Sequence, residues 1–114
     1  MPIRVLAKED WQSYCNQVSQ KLAGKRAFIE IGGLQLGNQL AARSMPLLGI
    51  TYDPKSDLVE IALEGFDHLI RKPRSIAVDD GSDGLSSMEI IDADERHQIV
   101  RLETPLSLSP AGSH

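Results

Sequence analysis

The densest run of groups able to do chemistry lies between Asp53 and Arg74. It holds Asp53, Asp57, Glu60, Asp67, His68, Arg71 and Arg74. His68 is the strongest single candidate for proton transfer, because an imidazole titrates near neutral pH. Asp67, its neighbour, is poorly placed to orient it if the segment is extended, since adjacent strand residues point to opposite faces. The plainer expectation is that Asp67 caps a turn and His68 hydrogen-bonds to backbone. Glu60, Asp67 and His68 could together ligate a metal if a hairpin brought Glu60 near the other two. The three histidines, His68, His97 and His114, are far apart in sequence, and no paired Cys or His spacing of a metal site occurs.

Other segments carry weaker signals. Asp79-Asp80-Gly81-Ser82-Asp83-Gly84 resembles a calcium loop in composition but lacks the twelve-residue ligand ladder ending in Glu, and short Asp/Gly runs are ordinarily hairpin turns. Gly32, Gly33 and Gly37 do not make a phosphate fingerprint, so no cofactor is expected. Arg71, Lys72 and Arg74 form the one basic cluster and could clamp a phosphate or carboxylate. Asp67, Asp79 and Asp80 lie close enough in sequence to compensate them. Cys15 falls on the apolar stripe of a helix, where a thiol behaves as a small hydrophobe. The binding candidates are therefore Tyr52, Asp67, His68, Arg71 and Arg74, with no catalytic or metal residue assigned.

The elements that must position these groups follow from periodicity. Trp11, Tyr14, Cys15, Val18 and Leu22 recur at helical spacing and predict a helix over Trp11 to Leu22, with Glu9 and Asp10 at its positive end and Gly24 as its stop. From Ala27 to Ile31 the period changes to two, which predicts a strand. Leu34 to Asn38 reads as a loop. Gln39 to Tyr52 reads as extended, interrupted at Pro46 and Gly49. Asp53-Pro54-Lys55-Ser56-Asp57 is a turn by its chemistry, so Leu47 to Leu63 reads as a β-hairpin. A short apolar segment, Phe66 to Ile70, and a strand, Ser75 to Val78, precede a polar loop at Asp79 to Gly84. Ser87 to Ile91 and Gln98 to Glu103 make a last hairpin across Asp92 to Arg96. The expected fold is α+β: one N-terminal helix packed on a curved antiparallel sheet of five to six strands, curling toward a small open barrel. A single domain is expected over residues 1–104, with 105–114 as an extended or disordered tail.

The totals narrow the function classes. A chain of 114 residues with 41% hydrophobic and 25% charged residues can form one core without staples. One cysteine cannot form an internal disulfide, and no signal-peptide or membrane-length apolar run is present, so a reducing, cytoplasmic setting is expected. A net charge of −4 disfavours nucleic acid as a partner.

Leu47-Leu48-Gly49-Ile50-Thr51-Tyr52-Asp53-Pro54-Lys55-Ser56-Asp57-Leu58-Val59-Glu60-Ile61 resembles the central signature of a family of small bacterial proteins of unknown function. Asp67-His68-Leu69-Ile70, Pro73-Arg74-Ser75-Ile76 and Met88 to Asp94 are similar to its second half, and Trp11 fits its helix. The resemblance spans all but the tail. It implies one stand-alone domain from a bacterial source, and it brings no catalytic residue, cofactor or partner with it.

Three functional readings are ranked on these grounds. First is a non-enzymatic binding or regulatory module, self-associating through an exposed strand edge. Second is an RNA-binding small barrel of Sm-like order, using Arg71, Lys72, Arg74 and an aromatic such as Tyr52. Third is a small enzyme with Asp67 and His68 as its acid/base pair.

Overall fold

The computed structural model describes residues 3–22, 24–33 and 37–107, with the backbone alone for 33 and 37–43. Eight strands form one sheet: β1 (Ile3–Val5), β2 (Arg26–Gly33), β3 (Gly37–Asp53), β4 (Leu58–Leu63), β5 (Phe66–Arg71), β6 (Ser75–Gly81), β7 (Gly84–Ile91) and β8 (His97–Leu106). Among the described residues a single α-helix, α1 (Trp11–Ser19), follows a turn of 3-10 helix at Lys8–Asp10. The order across the sheet is β1-β6-β7-β8-β2-β3-β4-β5, and every neighbouring pair is antiparallel. The α+β class holds, and the expected count of five to six strands is corrected to eight.

Part of the difference is β1. Its three residues are all exposed, so no burial alternation marks them in the sequence. The other part is β5, Phe66–Arg71, of which the sequence marked only a short apolar segment, and several of the strands also run longer than expected. Asp79, Asp80 and Gly81 continue β6, which leaves only Ser82 and Asp83 to turn the β6–β7 hairpin. Gly84, at φ 105°, lies against Leu106, whose backbone carbonyl any added Cβ would strike. β8 runs on to Leu106, two residues into the segment read as tail. The remainder of that segment beyond Ser107, and residues 34–36 of the expected loop at Leu34 to Asn38, lie outside the described residues.

β3 explains how the sheet bends. Its first part pairs with β2 as far as Arg26↔Pro46, and its last part pairs with β4 from Leu47 onward. Pro46 has no N–H for a ladder, so the changeover falls where one donor is missing anyway. The register slips between Leu47 and Gly49, a bulge that leaves Leu48 exposed. The Ile50 amide and carbonyl next to it bond the Ser19 hydroxyl at 2.9 and 2.7 Å, so the helix is docked onto the bend.

One face of the curled sheet and the apolar side of α1 enclose the core. Trp11, Tyr14, Cys15 and Val18, at spacings of three and four, are buried in α1. The helix ends at Ser19 rather than Leu22, though Leu22 still reaches the core and Gly24 takes the left-handed φ of 76°. On β4 alternation is strict: Val59, Ile61 and Leu63 are buried, while Leu58, Glu60 and Ala62 are partly covered. Each fully buried Ile, Leu or Val side chain contributes about 2 kcal/mol over its exposed state.

The sheet has two open edges, β1 and β5. Three strands separate β5 from β8 in the sheet order. Side chains of these two strands nevertheless touch across the interior, which requires the sheet to fold back on itself.

Candidate functional site

That interior contact is made by His68. Its Nε2 lies 2.5 Å from Oε1 of Gln98 on β8. The Gln98 amide nitrogen donates to Asp92 Oδ2 at 2.7 Å. A carboxylate only accepts, which fixes the amide orientation: Oε1 faces the imidazole and His68 Nε2–H donates. Asp92 closes the chain. Its Oδ1 accepts the backbone N–H of Asp94 at 2.9 Å and of Arg96 at 3.0 Å, and its Oδ2 also accepts Arg96 Nε at 3.1 Å. Asp92 is 3% exposed and Gln98 5%. Burial alone would raise the Asp92 pKa, but donation from Arg96, Gln98 and Asp94 outweighs it and holds the carboxyl below its ordinary 3.8. His68 is thus bonded to a side chain rather than to backbone.

Asp67 is not part of this chain. The pairs Ile61↔His68 and Ala62↔Asp67 put His68 on the inner face, with Val59, Ile61 and Ile70, and Asp67 on the outer face, with Glu60, Leu69 and Arg71. Glu60 and Asp67 therefore share a face that His68 does not, and the hairpin separates the three groups considered as metal ligands. Among the described residues no cluster of three or more His, Cys, Asp or Glu is placed to hold a metal.

The remaining candidates are scattered. Tyr52 is 5% exposed, its ring packs edge-on against Trp11 with centroids 5.2 Å apart, and its hydroxyl donates to Asp57 at 2.8 Å. Burial and that bond push its pKa up to about 12. Arg71, Lys72 and Arg74 are exposed, and Arg74 pairs with Glu95 at 3.5 Å. Cys15 is fully buried, and burial pushes its thiol up to about 12, far from thiolate chemistry at neutral pH. Asp53 caps its own turn, accepting from Ser56 Oγ and Lys55 N–H, which lowers its pKa.

A second network, at the opposite edge, was not foreseen from sequence. Arg4 of β1 grips Asp80 of β6 through two nitrogens at 3.0 and 2.7 Å, and Tyr14 of α1 donates to the same carboxylate at 2.9 Å. Arg4 first, then Tyr14, holds the Asp80 pKa down against its partial burial. Burial, followed by the bond to Asp80, raises that of Tyr14. A cleft of about 270 Å³ opens beside these three residues, bounded by Gln17 and the β6–β7 turn. Of the polar groups lining it, Arg4, Tyr14 and Asp80 already bond one another. Every buried side-chain nitrogen or oxygen among the described residues has a partner. The sequence signal for Asp92 was present but local: an Asp two residues before Asp94 and four before Arg96 suits an Asx turn.

Residues 3–111 match the family described as "Family of unknown function (DUF5335)", and the chain belongs to it. It is 31% identical over 109 residues to an uncharacterized protein of the bacterium Aquifex aeolicus (strain VF5), covering 95% of this chain and 98% of that one. No solved structure matches the chain.

Proposed function

We propose that the protein acts by contact rather than by chemistry, as a non-enzymatic binding or regulatory module whose open sheet edges meet another polypeptide. One observation carries this reading. Among the described residues the exposed large apolar side chains are Ile3, Val5, Leu48, Phe66 and Leu69, and all of these but Leu48 lie on the two edge strands. Unpaired backbone beside exposed apolar side chains is what a strand-adding partner needs. The alternatives gain less. Tyr52 is buried, which removes the aromatic best suited to stack on a base beside the basic cluster. Asp67 and His68 leave β5 in opposite directions, so no single substrate pose meets both.

Native mass spectrometry of untagged protein, purified without chelator, tests the reading. The expected spectrum shows multiples of the chain or complexes with another polypeptide. A stoichiometric metal or small-molecule adduct on the monomer, lost in His68→Ala, overturns it.

A further inference from the structure

The β5 edge carries a self-complementary pattern. Lys72 N–H donates to the Asp57 carbonyl at 2.8 Å, so Asp57 and Lys72 form a hydrogen-bonded pair with β4. Antiparallel ladders alternate, so Ile70, His68 and Phe66 also direct their backbone groups to β4. The N–H and C=O groups of Asp67, Leu69 and Arg71 consequently point away from the sheet. These same three residues project their side chains from the outer face, where all three are exposed. Among the described residues, neither Asp67 nor Arg71 takes part in an ion pair.

We infer that two copies of the chain pair edge to edge through β5, antiparallel, about a two-fold axis at Leu69, and this rests on the contact reading above. In that register Leu69 faces Leu69 of the second copy, and each Asp67 faces an Arg71. The three outward backbone positions match one another and supply roughly six hydrogen bonds. Charge selects the register. Sliding the axis to Asp67 sets carboxylate against carboxylate, and sliding it to Arg71 sets guanidinium against guanidinium. A parallel in-register arrangement juxtaposes both like pairs. Opposite charges across a strand pair stabilise and like charges destabilise. β1 offers no equivalent, because it is three residues long and its Arg4 is held by Asp80. A six-residue edge covers less area than a standard stable interface, so a weak, concentration-dependent dimer is expected.

Sedimentation equilibrium of the full chain over a wide concentration range reads the association constant. Asp67→Arg and Arg71→Asp are each expected to weaken dimerisation about tenfold, and the double variant Asp67→Arg/Arg71→Asp to recover it to within about threefold. Both positions are exposed, and circular dichroism verifies that the variants are folded. A chain that stays monomeric at every concentration overturns the pairing, as does association indifferent to these charges. In either case the contact reading stands or falls separately, on whether native mass spectrometry finds another polypeptide or a small-molecule adduct.

Discussion

The two edges of the sheet are anchored by the same device and left in different states. Each edge strand sends one polar side chain to a carboxylate on the β6–β8 half of the sheet: Arg4 of β1 to Asp80, and His68 of β5, through Gln98, to Asp92. At β1 the anchor is a charge pair in which Arg4 is 57% exposed, and the strand is too short to recruit much else. At β5 the anchor faces inward, from a half-buried His68 to buried Gln98 and Asp92, which leaves the outer face and the outward backbone of Asp67, Leu69 and Arg71 available. An edge can therefore be rigidly held from within and still be open to a partner. Inner and outer functions alternate along one strand because its side chains do.

The sharpest way to break this comparison is Asp92→Ala. It strips partners from the Gln98 amide, which is buried, and from two backbone N–H groups and Arg96, whose bonds are half-buried. It should cost about 3 kcal/mol of unfolding free energy, read from urea midpoints. Gln98→Leu removes only the middle of the chain, leaving His68 and Asp92 each short of one partner. A loss of about 2 kcal/mol is expected, together with faster amide exchange along β5. Arg4→Ala should cost about 1 kcal/mol or less, because solvent already screens most of that pair. If Arg4→Ala proved as costly as Asp92→Ala, the proposed difference between the two anchors would be wrong.

Acid should loosen both edges together. The folded-state pKa values of Asp80 and Asp92 lie below the ordinary 3.8. Their stabilisation is complete above that value and is lost as pH falls through the folded values. Urea midpoints should hold steady from neutral pH to about pH 5 and drop below about pH 4. Asp92→Asn should flatten that drop more than Arg4→Ala does. The smallest effect on folding belongs to Leu69→Lys, within about 0.5 kcal/mol at dilutions where the chain is monomeric. The same change puts like charges at the two-fold axis and should reduce dimer formation in sedimentation.

Local signals carried far in this chain. The β3–β4 hairpin follows from the Asp53 turn, where the carboxylate bonds Lys55 and Ser56 within its own turn. The stripe of α1 and the interruption at Pro46 are equally local, whereas the helix stops at Ser19, before the expected end at Leu22 and Gly24. β1 was not legible, since three exposed residues leave no burial pattern. Nor was the partner of His68, because Gln98 is 30 residues away in sequence and looks like any polar strand residue. The opposition of Asp67 and His68 was legible, because it needs only the period of a strand.

By itself, then, the sequence determined which segments are extended, where they turn, and which alternate residues share a face, because propensity, turn chemistry and periodicity act over a few residues. Only the tertiary structure decided which strands lie side by side, that β3 serves two partners, that the sheet curls until β5 meets β8, and that β1 and β5 remain as its edges. Those outcomes depend on burying one continuous apolar face around α1. That is a property of the whole chain, and no short window of sequence contains it.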